Sequence, residues 1–173
     1  MPQPMKNIEY LDVVDESDQV ISQAAYTDIY RKLLTHRIVH ILIFNDKGEM
    51  AIQKRSKYKS FMPNAWSTAV GGHVRSGETY EQAALREFRE ELGLEVPIQF
   101  LYKDFYEDKA YEAGLKKFLY TFKAVCNGPF ALDQKEVESI DYFKFDKIKE
   151  MMTRREKFHP ELLFLLKKYY NNE

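Results

Sequence analysis

Residues 72–94, GHVRSGETYEQAALREFREELGL, limit what this chain can become more sharply than any other stretch. Gly93 closes an apolar-periodic run in the usual position just past a helix C-terminus, so the segment from about Thr79 to Leu92 reads as a helix. At about 100° per residue, Leu85, Phe88 and Leu92 share one side as a core-facing stripe. Glu87, Glu90 and Glu91 fall in the neighbouring arc. Like charges at these spacings cost roughly 0.2–0.5 kcal/mol per pair, and Arg86 and Arg89 offset only part of this. Either water solvates the acidic face or a cation sits among the carboxylates. The cluster borders the buried stripe, and Gly71-Gly72 ahead of it permit close backbone approach, which favours a cation.

The flanking sequence places this helix in an α+β domain of the α/β/α sandwich type. EYLDVVDESDQVISQA reads as two strands around a turn, and TDIYRKLLTHR as a helix capped by Thr27 or Asp28, so a hairpin and helix fill about residues 8–36. IVHILIFNDKGEMAIQKRS is a hairpin turning at Asn45-Asp46-Lys47-Gly48. A loop then leads into a short strand at about Trp66–Val70. Beyond the helix, IQFLYKDFYED, LKKFLYTFKAV and SIDYFKF read as strands, and HPELLFLLKKYY as a closing amphipathic helix over about 160–171. With no repeat and no linker, the 173 residues form one domain.

Charge adds little: 26 basic against 27 acidic residues give a net −1, so no overall field points to nucleic acid or a membrane surface. No run is long and apolar enough to span a bilayer, and a cytoplasmic location is the default expectation. The one cysteine, Cys126, excludes an internal disulfide and is expected as a buried strand residue. The oligomeric state is not legible in the sequence, and a homodimer is compatible with it.

Carboxylates gathered on one surface beside a backbone carbonyl suit hard divalent cations, Mg²⁺ or Mn²⁺, and no Cys/His cluster favours zinc. Such metals finish their coordination on phosphates and on a water that they acidify, which points to attack on a phosphorus–oxygen–phosphorus linkage. Gly72, Glu78 and the run Arg86-Glu87-Phe88-Arg89-Glu90-Glu91-Leu92-Gly93-Leu94 match every specified position of the Nudix box, so the chain resembles the Nudix superfamily. The resemblance implies a mixed sheet between helices and Mg²⁺-dependent hydrolysis of a nucleoside diphosphate linked to another moiety. By position, Glu87, Glu90 and Glu91 would be metal ligands, one of them alternatively a general base acting through water. Arg86 would orient them by pairing with Glu78, and the carbonyl of Gly71 or Gly72 would add a ligand.

The likeness continues outside the box. HRIVHILIFNDKGEMAIQKRSKYKSFMPNAWSTAVGGHV resembles isopentenyl-diphosphate isomerases of the same superfamily. Arg55 and Lys59 match their diphosphate-gripping residues, Trp66 a pocket aromatic, and His36 and His73 two metal-binding histidines. The catalytic cysteine's place is taken by Gly71, the third histidine's falls near Ile29, and the two acidic positions fall near Leu115 and Lys117. Isomerisation needs an acid and a base on opposite faces of an alkene, and neither is kept, whereas the groups needed for hydrolysis are all present.

The sequence therefore predicts a Mg²⁺- or Mn²⁺-dependent diphosphatase acting on a small nucleoside diphosphate derivative. An isoprenoid-diphosphate isomerase and a non-catalytic ligand-binding module are the alternatives. The basic run Gln53–Lys59 reads either as a solvated strand end or as a phosphate grip through Arg55 and Lys59. Glu136, with Glu138 beside it in a late loop, is a further candidate metal ligand or base. His36 and His73 are either structural or a second metal site. The rings of FLYKDFYEDKAY and KKFLYTF read as sheet packing or as a stacking surface for a base.

Overall fold

The computed structural model describes residues 8–170; residue 171 of the expected closing helix lies outside the described residues. A separate two-stranded hairpin, β1 (Tyr10–Val14) and β2 (Val20–Ala25), leads into α1 (Tyr26–Lys32). The helix begins before Thr27, and neither Thr27 nor Asp28 caps it: Ala25 holds the N-cap position with no side-chain bond. Asp28 instead pairs with Arg31 and Lys32 on the helix surface.

The main sheet contains β3 (His36–Phe44), β4 (Met50–Arg55), β5 (Trp66–Thr68), β6 (Val70–His73), β7 (Gln99–Asp108), β8 (Leu115–Val125) and β9 (Val137–Phe143). Strands β3 and β8 run parallel; the other pairings are antiparallel. Period-two alternation divides β3 between two cores. Val39, Ile41 and Ile43 face α2 (Tyr80–Leu92), while Leu42 faces α3 (Phe145–Thr153) and α4 (Pro160–Tyr169). This is the anticipated sandwich. Helix α3 was not expected, because FDKIKEMMT spans little more than two turns and buries only Ile148 and Met151.

One irregularity shapes the molecule. The single short strand expected at Trp66–Val70 is two strands: β5 pairs with β4, and after Ala69 the chain crosses to pair β6 with β3. β3 keeps β4 at Ile43–Ala51 and Phe44–Met50 and then leaves it, so the sheet splays open around Ala69. Gly71 and Gly72 lie on the crossing strand, beside the gap.

Helix α2 is built as its sequence requires. The Thr79 hydroxyl accepts from the Gln82 N–H at 3.1 Å while the Gln82 side chain accepts from the Thr79 N–H at 2.9 Å, and Gly93 ends the helix at φ 71°. Its buried face differs from the expected stripe: Ala83, Ala84, Phe88 and Leu92 are buried, whereas Leu85 is partly exposed. The two small alanines let the helix sit close to β6, and burial of Phe88 and Leu92 is worth about 1.5–3 kcal/mol each. The N-terminal hairpin is pinned to the loop before α2, where Asp12 accepts from the Ser76 hydroxyl at 2.7 Å and the Gly77 N–H at 3.2 Å.

Candidate active site

The splay opens into a pocket of about 880 Å³ lined by Gly71, Gly72, Glu87, Glu90, Glu91, Arg55, Lys59 and Glu136. Helix α2 brings the three box glutamates there, and Arg86 organises two of them, Glu87 and Glu90. Its guanidinium donates to both oxygens of Glu78 at 2.7 and 2.9 Å, as expected, and also to Glu87 at 2.6 Å, Glu90 at 3.3 Å and the His73 carbonyl at 2.8 Å. Such a fork of charge-assisted bonds fixes helix, loop and β6 to one another. A Cβ at Gly72 would overlap the Glu87 carboxylate, so a side chain there would push Glu87 away from its bond to Arg86. Gly71 is nearly as constrained, its Cβ position lying 3.0 Å from His40 Nδ1 and 3.1 Å from Thr68 Oγ1.

The electrostatics of the glutamates differ. Burial pushes Glu87 up to about 7 despite Arg86. Burial, and then the Glu87 charge, raise Glu91 well above the usual carboxylate range. Glu91 is held by a residue that sequence reasoning missed: Gln53 donates to Glu91 Oε2 at 3.0 Å and to the Ala69 carbonyl at 3.3 Å. The signal was weak, since Gln53 directly follows the apolar part of β4 and opens the basic run rather than standing apart from it.

As the side chains stand, no three His, Cys, Asp or Glu groups among the described residues form a ready metal cage. Glu87 and Glu90 turn to Arg86, Glu91 to Gln53, and Glu136 to an ion pair with Lys59. The donor set still fits a hard cation. It is all oxygen, two of its members are buried carboxylates that raise each other's energy, and Gly72 leaves open backbone beside them.

Two expectations are corrected, those for Trp66 and Cys126. Trp66 does not line the pocket; it packs against Phe143 in the core beneath α3 and α4, with Lys54 over its ring and Nε1 donating to Glu156 at 2.9 Å. Arg55 does line the pocket, as expected of a phosphate grip, and its Nε and Nη2 also donate to the loop carbonyls of Met62 at 3.2 Å and Phe61 at 2.9 Å, bracing the loop that carries Lys59. Cys126 is half-buried just past β8 rather than enclosed within it.

His36 and His73 do stand together, rings 5.5 Å apart and nearly parallel. Burial lowers them to about 4 and about 3, so both are neutral imidazoles near pH 7. His73 Nε2 bonds the Tyr30 hydroxyl at 2.6 Å. Beside them Lys117, Asp108, Glu161 and His40 form a buried polar group that sequence reasoning did not bring together; His40, a single polar residue inside the apolar run of HRIVHILIF, was its clearest trace.

The model of the NUDIX domain family matches residues 34–165. An uncharacterised Nudix hydrolase of Yersinia pestis is 31% identical over 173 residues, covering 98% of this chain and 91% of that protein. The uncharacterised Nudix hydrolase YfcD of Escherichia coli is 30% identical over 160 residues, covering 92% and 85%. Among solved structures, DR0079 of Deinococcus radiodurans superposes with a TM-score of 0.81 at 29% identity, covering 94% of this chain and all of that one. The chain belongs to the Nudix family. Among the described residues no helix is long and apolar enough to cross a membrane.

Proposed function

We propose that this Nudix protein is a Mg²⁺- or Mn²⁺-dependent diphosphatase that cleaves the diphosphate linkage of a small nucleoside diphosphate derivative. The observation that carries this reading is the Arg86 fork, which assembles Glu78, Glu87, Glu90 and β6 on one wall of a substrate-sized pocket. Glu87 and Glu90, a carbonyl from Gly71 or Gly72, and Glu136 would hold the cation, with Glu91 either a further ligand or, instead, the base. When bound, it neutralises diphosphate oxygens and supplies an acidified water. Lys59, released from Glu136, faces the same pocket and offers an ammonium to phosphate; Arg55 keeps its loop in place. Gln53 orients Glu91, and the deep burial of Glu91 suits it to hold a proton taken from water.

Two features weigh against isomerisation. A side chain at position 71 would press on His40 and Thr68, and the buried cation of Lys117 stands near the position that an acidic residue holds in the isomerases. The test is phosphate release from nucleoside di- and triphosphates, nucleotide sugars, dinucleoside polyphosphates and isopentenyl diphosphate, with Mg²⁺ and with chelator, for wild type and Glu91→Gln. Metal-dependent turnover that collapses in the variant supports the proposal. Tight ligand binding without turnover, unaffected by chelator, would replace it with a binding module, and rearrangement of isopentenyl diphosphate without phosphate release would restore the isomerase.

A further inference from the structure

The pocket has a second wall that the phosphate chemistry leaves unused. Lys117 of β8 lies in register with His36 of β3 and is 4% exposed. Its ammonium donates to Glu161 Oε1 at 2.8 Å and Asp108 Oδ2 at 3.2 Å. Glu161 Oε2 accepts from His40 Nε2 at 3.0 Å, and His40 Nδ1 bonds Thr68 Oγ1 at 2.9 Å. Desolvating these charges costs several kcal/mol per ion, and apolar residues of similar volume would stabilise a core at least as well. Yet Lys117, Asp108, Glu161 and His40 all line the same pocket as the box glutamates. Their arrangement is therefore better explained by a ligand than by stability.

The hydrogen-bonding capacity points to the kind of ligand. An ammonium has three N–H donors, and among the described residues Lys117 places two of them, on Asp108 and Glu161. Each carboxylate has lone pairs beyond the bonds it accepts, so a donor and acceptors stand side by side at the pocket wall. Behind them His36 Nδ1 donates to the Leu34 carbonyl at 2.9 Å, which leaves Nε2 as a fully buried acceptor with no partner among the described residues. Aromatic faces adjoin this edge: Tyr26 and Tyr30 have ring centroids 5.0 Å apart, Tyr30 and Tyr111 6.2 Å, and all three line the pocket. A metal ion does not suit this wall, because the Lys117 ammonium already sits between the two carboxylates and Tyr30 engages His73. A planar ring with donors and acceptors along one edge does suit it.

Building on the diphosphatase reading, we propose that Lys117, Asp108 and Glu161, with Tyr26, Tyr30 and Tyr111, form the subsite that recognises the nucleobase of the substrate, stacking its ring and reading its edge. Calorimetric titration with α,β-methylene nucleoside diphosphates and with base-free methylenediphosphonate tests this without turnover. Wild type binds the nucleoside analogues at least about tenfold more tightly than methylenediphosphonate, as expected of one stacked base. Tyr111→Ala and Glu161→Gln remove that difference and leave methylenediphosphonate affinity unchanged; in turnover assays they raise KM and spare kcat. Equal wild-type affinity for both probes, or a parallel loss of both in Tyr111→Ala, overturns the subsite. A protein that hydrolyses nothing yet shows base-dependent binding loses the diphosphatase reading and keeps the subsite. Glu161→Gln carries weight only with its melting temperature intact, and Tyr111→Ala, at a partly exposed ring, decides the matter alone if it is not.

Discussion

The two walls of the pocket bury comparable charge and treat it in opposite ways. On the α2 wall, burial lifts Glu87 to about 7 and Glu91 well above the usual carboxylate range, with Arg86 compensating only part of the charge. On the β8 wall, burial would likewise raise Glu161, but Lys117 and His40 reverse this and hold it well below that range. Charge left in mutual repulsion is poised for a partner from outside the chain; charge neutralised from within is a fixed template. The family's clustered glutamates are thus distinguishable from ordinary buried ion pairs by what their neighbours fail to supply.

This contrast can be broken by mutation. Glu91→Gln should lower kcat by roughly 10²–10⁴-fold, the range for a lost proton-transfer group, with an unchanged or raised melting temperature because a destabilised carboxylate is removed. Lys117→Met should do the reverse in stability, costing about 3–5 kcal/mol in denaturant unfolding by leaving Asp108 and Glu161 uncompensated. If Lys117→Met instead proves neutral, the β8 wall is not charge-balanced as described.

The pH dependence sharpens the comparison. His36 and His73 are lowered from 6.5 to about 4 and about 3, so their contribution is fully present above pH 6.5 and is lost as pH falls through the folded-state values. Glu87 is raised from 4.5 to about 7, so its contribution is present below pH 4.5 and is lost as pH rises through about 7. Melting temperatures between pH 4 and 8 should show the alkaline loss with chelator and its suppression by Mg²⁺, while the acid loss should ignore the metal. The smallest effect is expected at Thr79→Ala, which removes the α2 cap. It should cost about 0.5–2 kcal/mol of stability and leave KM unchanged, separating damage to the helix from damage to the site.

Much of the α2 wall was legible because its determinants are local: the glutamates, Arg86 and Glu78, and Gly93 lie within one strand–loop–helix unit. The β8 wall was not, because Lys117 meets Asp108 across a hairpin and Glu161 from a helix 44 residues away, distances over which periodicity carries no information. Trp66 misled for a related reason. Its side of β5 depends on which strand β5 pairs with, and the change of partner at Ala69 leaves no mark in composition. Short α3 escaped because a helix of nine residues shows too few turns for a period to stand out.

That change of partner has a further effect. Thr68, which holds His40 on one wall, and the Ala69 carbonyl, which steadies Gln53 and through it Glu91 on the other, are consecutive residues of one backbone. The span between the two walls is therefore a fixed gauge set inside the sheet, and a molecule of different length would demand a re-registered strand rather than a new surface loop.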